Sequence, residues 1–161
     1  MTGAELEDRV GAGWRPFRTE VAALPEDAFD MVTSSGWTIR EMLAHVAFWE
    51  ETVAPFVEGM LRGRDWPDQA EWHGGGGFDG TDGWPHADVH NAREAAWART
   101  HSVAEVLARW DRAHARCLAA VGGLSDAELA DARFIDEVKM QTYGHYPEHL
   151  AEMRAAASGN G

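Results

Sequence analysis

Apolar positions along the chain recur at spacings of three and four rather than two, which predicts helices and almost no strand. From about Glu5 to Ala23, the residues Leu6, Val10, Trp14, Phe17, Val21 and Leu24 form one apolar stripe. Pro16 interrupts it and predicts a kink. A second stripe opens at Thr38, where T-I-R-E reads as a capping box. The Thr38 hydroxyl caps the amide of Glu41, and Glu41 reaches back. Trp37 and Met42 occupy the positions of a hydrophobic staple. Ile39, Met42, Val46, Trp49, Val53, Phe56 and Met60 then continue for about six turns, with a bend expected at Pro55.

The periodicity stops in "GRDWPDQAEWHGGGGFDGTDGWPH", residues 63–86, whose seven glycines and two prolines exclude regular structure. A connection this long is a functional lid or a disordered segment. A short helix is expected over Ala87–Arg99. A third long helix opens with a second capping box, Ser102 with Glu105. Its stripe is Val106, Trp110, His114, Cys117 and Val121, and Gly122-Gly123 stops it. Ser125 and Glu128 cap a short turn. The fourth long helix is expected from about Ile135 to Ala157, followed by a frayed tail at 158–161. The pattern predicts an all-α chain: a single-domain four-helix bundle spanning 1–161, with a long crossover connection between helices 2 and 3.

Composition narrows the partners. At 161 residues the chain can bury a sizeable core, roughly 70% of its unfolded surface. Its net charge is −13, so phosphate backbones and anionic lipid repel it, and neither nucleic acid nor membrane is expected as a partner. Cys117 is the single cysteine, which excludes an internal disulfide and a thiolate zinc site. No basic segment followed by an apolar run opens the chain, and no apolar window approaches membrane-spanning length. The expectation is a soluble cytoplasmic protein. Eight tryptophans allow a homodimer through an exposed apolar face.

Two motifs carry candidate chemistry. "HGGGGF" at 73–78 resembles an esterase oxyanion loop, but that chemistry needs a G-x-S-x-G elbow on an α/β sheet, and both are missing from this sequence. "YGHYPEHL" at 143–150 contains H-x-x-E-H. As a protease motif it lacks room for a third ligand downstream. Its spacing still places His145 and His149 on one helical face, where two imidazoles converge on one ion. Pro147 points away from that face and either starts or kinks the helix. His45 borders the stripe of the second helix and points to the core. Three neutral imidazoles from two helices leave a metal open positions, the form of a catalytic site. Glu148, three residues from His145, is a candidate general base. His114 reads as a hydrogen-bonded core residue or a pocket wall, and Trp49 and Trp110 read as core or as aromatic walls. His73, His86, His90 and His101 lie in or near loops and are expected to be solvated.

The block from Trp37 to Glu50, "WTIREMLAHVAFWE", resembles the W-[ST]-x-x-[DE]-x-[LIV]-x-H-[LIV]-x-x-W-E signature of the DinB/YfiT-like superfamily. "DVHNAREAAWARTHSVAEVLARW" and "TYGHYPEHLAEM" are similar to its third and fourth helices. The likeness covers roughly residues 5 to 155 and is nearest to the maleylpyruvate-isomerase-like and ClbS/DfsB-like branches. It implies a four-helix bundle with a divalent metal, zinc or nickel, held by His45, His145 and His149. It also implies thiol-dependent transfer or isomerisation, or hydrolysis of a reactive metabolite, as in detoxification or self-resistance, and in some members a low-molecular-weight thiol as co-substrate. The small-molecule substrate itself is unnamed by the sequence. The rival readings are a non-catalytic protein that sequesters a small molecule or metal, and a silent bundle with vestigial histidines.

Overall fold

The computed structural model describes residues 1–63 and 87–159. Among them the chain forms seven α-helices and two short 3-10 turns, with no strand beyond an isolated bridge between Val32 and Thr38. The helices are α1 (Gly3–Ala22), α2 (Ile39–Glu51), α3 (Val53–Leu61), α4 (Ala87–Arg99), α5 (Val103–Gly122), α6 (Ala132–Gln141) and α7 (Tyr146–Ala157). None is long and apolar enough to cross a membrane. The Gly-rich connection expected at 63–86, with its crossover, lies outside the described residues apart from Gly63, as do the last two residues of the expected tail.

Local chemistry starts these helices where the sequence places the caps. Thr38 and Glu41 cap α2 reciprocally, Ser102 and Glu105 cap α5, and Thr2 and Glu5 do the same for α1. Each box stabilises its helix by about 1 kcal/mol, because it satisfies amides that have no partner inside the first turn. Helix α1 runs through Pro16 as one element.

Two long stripes are each broken into two helices. The second was expected to bend at Pro55; instead it breaks at Thr52, between α2 and α3. Pro55 has no N–H to give the Glu51 carbonyl, and its ring crowds that carbonyl. The break therefore falls one turn upstream, which leaves Pro55 in the first turn of a new helix, where no donor is needed. Thr52 closes the break by donating its hydroxyl to the Trp49 carbonyl at 2.6 Å. The fourth stripe breaks at residues 142–145. Here the Gly144 amide bonds back to the Lys139 carbonyl at 2.8 Å. A Cβ on Gly144 would lie 2.7 Å from that same oxygen, so only glycine closes this turn. Pro147 then sits in the first turn of α7 and starts the helix rather than kinking it.

Helix α5 packs against α1, α2 and α3, while α2 also carries α4 on its flank and α7 lies against α1 and α2. Phe17, Met42, Val46, Trp110, Tyr146 and Met153 make one core cluster, and Val53, Phe56, Cys117, Val121 and Phe134 make a second. Burial of each large side chain contributes roughly 1.5–3 kcal/mol. Ion pairs pin α4 in place: Arg99 reaches Glu41 of α2, and Arg109 of α5 joins Glu94 of α4 to Glu51 of α2.

Candidate metal centre

Helix α2 presents His45 at its middle, buried under the Trp37 ring, whose centroid lies 5.0 Å away. The turn before α7 presents His145 as the N-cap residue, already in right-handed helical conformation. One turn on, α7 presents His149, also buried. The break at 142–145 thus leaves the i, i+4 relation intact, since both residues belong to the same helical phase.

The three rings turn their Nε2 atoms toward one point. His145 Nε2 lies 3.2 Å from His45 Nε2 and 2.9 Å from His149 Nε2. One ligand atom from each of the three lies within 4.8 Å of the others. Imidazole nitrogens bound at ~2.05 Å to a tetrahedral ion stand about 3.3 Å apart, so the observed spacing fits an ion with little movement. The outer nitrogens are held differently. His149 Nδ1 donates to the Glu152 carboxylate at 2.8 Å, and Ser34 donates to the other oxygen of that carboxylate at 3.3 Å. His45 Nδ1 pairs with Asn91 Oδ1 at 2.9 Å. His145 Nδ1 is buried and has no hydrogen-bond partner among the described residues.

Burial first, then the neighbouring histidines, push His45 down to about 3 and His145 down to about 2. Both rings are therefore neutral at neutral pH. A carboxylate accepts but does not donate, so His149 Nδ1 carries a proton, and the neutral form of that ring presents a bare Nε2 inward. Converging imidazole nitrogens are a donor set that suits a borderline divalent ion. The Asn91 and Glu152 contacts supply the outer hydrogen bonds that orient metal-binding imidazoles.

The sequence profile of the DinB superfamily matches residues 10–155. The chain belongs to the DinB superfamily. No curated protein and no solved structure matches it. Metal binding is common in this superfamily, and the three-histidine group of this member could hold such an ion.

The other candidates lie around this centre or away from it. Trp49 adjoins His45, with ring centroids 6.3 Å apart, and its indole N–H donates to Asn91 Oδ1 at 2.9 Å. Trp110 and His114 meet instead at Glu50, which is fully buried and accepts from Trp110 Nε1 at 2.9 Å and from His114 Nδ1 at 2.7 Å. The His114 ring stacks on Trp14 at 4.0 Å. Burial, reinforced by Glu50, pushes the Cys117 thiol well up, so it is an inert core group. Glu148 is exposed and makes no hydrogen bond or ion pair among the described residues. It lines a cleft of about 460 Å³ with His145, Lys139 and Asp136. His90 is buried against Phe48 rather than solvated, and His101 stacks on Trp97. His73, His86 and the HGGGGF motif lie outside the described residues.

Sequence reasoning passed over Asn91, Glu152 and Glu50. Glu152 carried a readable signal, because it follows His149 by three residues and so shares its helical face. Asn91 carried none, because its partners lie 42 and 46 positions away.

Proposed function

We propose that this protein is a metal-dependent enzyme acting on a small organic molecule, with His45, His145 and His149 as the protein ligands of a divalent ion. The convergence of three Nε2 atoms, two of them on buried histidines, carries the proposal. Such an ion, zinc or nickel, supplies Lewis acidity toward water, a thiolate or an electrophilic substrate. The chain's own part is to keep the His45 and His145 imidazoles neutral by burial and to orient His45 and His149 through Asn91 and Glu152.

The reaction classes that fit are thiol-dependent transfer or isomerisation and hydrolysis of a reactive metabolite, as in the maleylpyruvate-isomerase-like and ClbS/DfsB-like branches. Either would serve detoxification or self-resistance in the cytoplasm. Glu148 stands as the candidate base at the cleft beside His145, and Trp49 stands as a pocket group beside His45, whereas Trp110 and His114 belong to the buried Glu50 cluster. A charged thiol needs cationic partners, and Arg40 is not free to be one: it donates to Asp30 and to the His101 carbonyl. Lys139, in the cleft beside His145, is the cation such a thiol would meet, so both classes stand. The same reading takes the architecture as a four-helix bundle whose second and fourth long helices are each broken once, in a single domain that allows a homodimer. A sequestering, non-catalytic role is the second reading, favoured by the exposure of Glu148, which no hydrogen bond holds toward the histidines.

Elemental analysis of protein purified without an affinity tag tests the first step. One equivalent of metal in the wild type, lost in His149→Ala, supports the centre. Electrophiles are then screened with the metal-loaded protein, with and without a low-molecular-weight thiol. A modified product supports the enzyme, and saturable binding with the ligand recovered unchanged supports sequestration. A wild type that neither contains metal nor takes it up on titration retires both metal readings.

A further inference from the structure

We infer that Trp49 and Asn91 form a relay that fixes the ring tautomer of His45, so that its Nε2 is set as a metal ligand before any ion arrives. The inference rests on the metal-centre reading, but its first test does not require metal. An indole nitrogen donates and never accepts. The side-chain amide atom 2.9 Å from Trp49 Nε1 must therefore be the oxygen of Asn91. The same oxygen lies 2.9 Å from His45 Nδ1. Flipping the amide would set its NH2 against the indole N–H, so the orientation follows from Trp49. With the oxygen facing His45, the proton of that ring belongs on Nδ1, and Nε2 is left bare. Trp49 follows His45 by four residues and so shares its face of α2. Asn91 comes from α4, whose seat is fixed by the Arg99–Glu41 and Arg109–Glu94 pairs.

The three ligands are therefore not equivalent. Glu152 presets His149 and the Trp49–Asn91 relay presets His45. No described residue presets His145, whose buried Nδ1 has no hydrogen-bond partner among them. In the metal-free protein its Nε2 faces two bare nitrogens, at 3.2 Å and 2.9 Å. Its proton then belongs on Nε2, where it is donated to them. Accepting an ion requires His145 alone to change tautomer: Nε2 loses a proton, Nδ1 gains one, and the net charge of the ring is unchanged.

The experiment is a long-range proton–nitrogen correlation on histidine-labelled, chelator-treated full chain at neutral pH. The wild type should show His45 and His149 protonated on Nδ1 and His145 on Nε2. Asn91→Ala should lose the fixed His45 tautomer and weaken zinc binding by about 10- to 100-fold in competition with a chromophoric chelator. Trp49→Phe, which frees the amide to rotate, should weaken it by a smaller factor. Asn91→Asp restores an acceptor and should bind zinc at least as tightly as the wild type, a rescue that a packing role for Asn91 would not give. Wild-type His45 protonated on Nε2 would overturn the relay. So would Asn91→Asp binding as weakly as Asn91→Ala, or both Asn91→Ala and Trp49→Phe keeping wild-type tautomer and affinity. Should Asn91→Ala not fold, the wild-type spectrum with Trp49→Phe and Asn91→Asp still decides. Zinc failing to bind the wild type, with the tautomers as stated, would remove the metal reading and leave the relay standing.

Discussion

Helix α2 carries two buried polar clusters whose contents look alike and whose chemistry is opposite. On one side His45 meets His145 and His149. On the other, Glu50 meets His114 and Trp110. Around Glu50, one carboxyl group receives two donors, so the hydrogen bonds close within the protein. Around His45, three ring nitrogens face one another with one ring proton, that of His145, shared among them. Such a group keeps lone pairs to spare and can take a cation. The balance of donors against acceptors, more than the presence of histidine, separates a closed structural cluster from one that can take a ligand.

The largest test of this contrast is Glu50→Ala. It leaves the Trp110 and His114 donors buried without an acceptor, and should cost about 3–5 kcal/mol of stability, read from the urea midpoint. An unchanged midpoint would mean that Glu50 does not hold the Trp110 and His114 donors in the folded protein. Acidification attacks the other side. The folded-state values of His45 and His145 lie near 3 and 2, below the ~6.5 of an unfolded histidine. Between those limits the unfolded chain binds more protons, so stability is full above about pH 6.5 and falls as the pH drops. For the metal-free protein, going from pH 7 to pH 5 should cost about 2 kcal/mol per histidine. His145→Ala, measured over the same range, should show a shallower slope.

Metal should sharpen the difference between the clusters. Zinc at about 100 times its dissociation constant should stabilise the wild type by about 2.7 kcal/mol and leave His149→Ala unmoved. Raised stability in both proteins would place the ion elsewhere. The smallest effect expected is at the outer layer. Glu152→Gln keeps the shape but removes the charge behind His149, and should weaken zinc binding about tenfold, near 1.4 kcal/mol. Affinity equal to the wild type would show that Glu152 does not act on the ligand.

Much of the fold was legible because its causes are local. The boxes at Thr38 and Ser102 and the stop at Gly122 are read within one turn of chain, and they bound α2 and α5 as expected. The breaks at Thr52 and at 142–145 were less legible, since the apolar period continues through both. Pro55 and Pro147 were visible, yet spacing alone does not say whether a proline bends a helix or begins a new one. In both places the ring settles into a first turn, where its missing donor costs little.

The sequence by itself determined that this chain is helical, where its main helices start, and that His145 and His149 share a face, because these depend on neighbours within four residues. The sequence pointed to His45 as their third partner, but tertiary structure alone decided that its Nε2 meets theirs, that Asn91 stands behind it, and that His114 turns away to Glu50. Those contacts join residues 46 to 100 positions apart, and they follow from how helices pack and from which buried donor finds which acceptor.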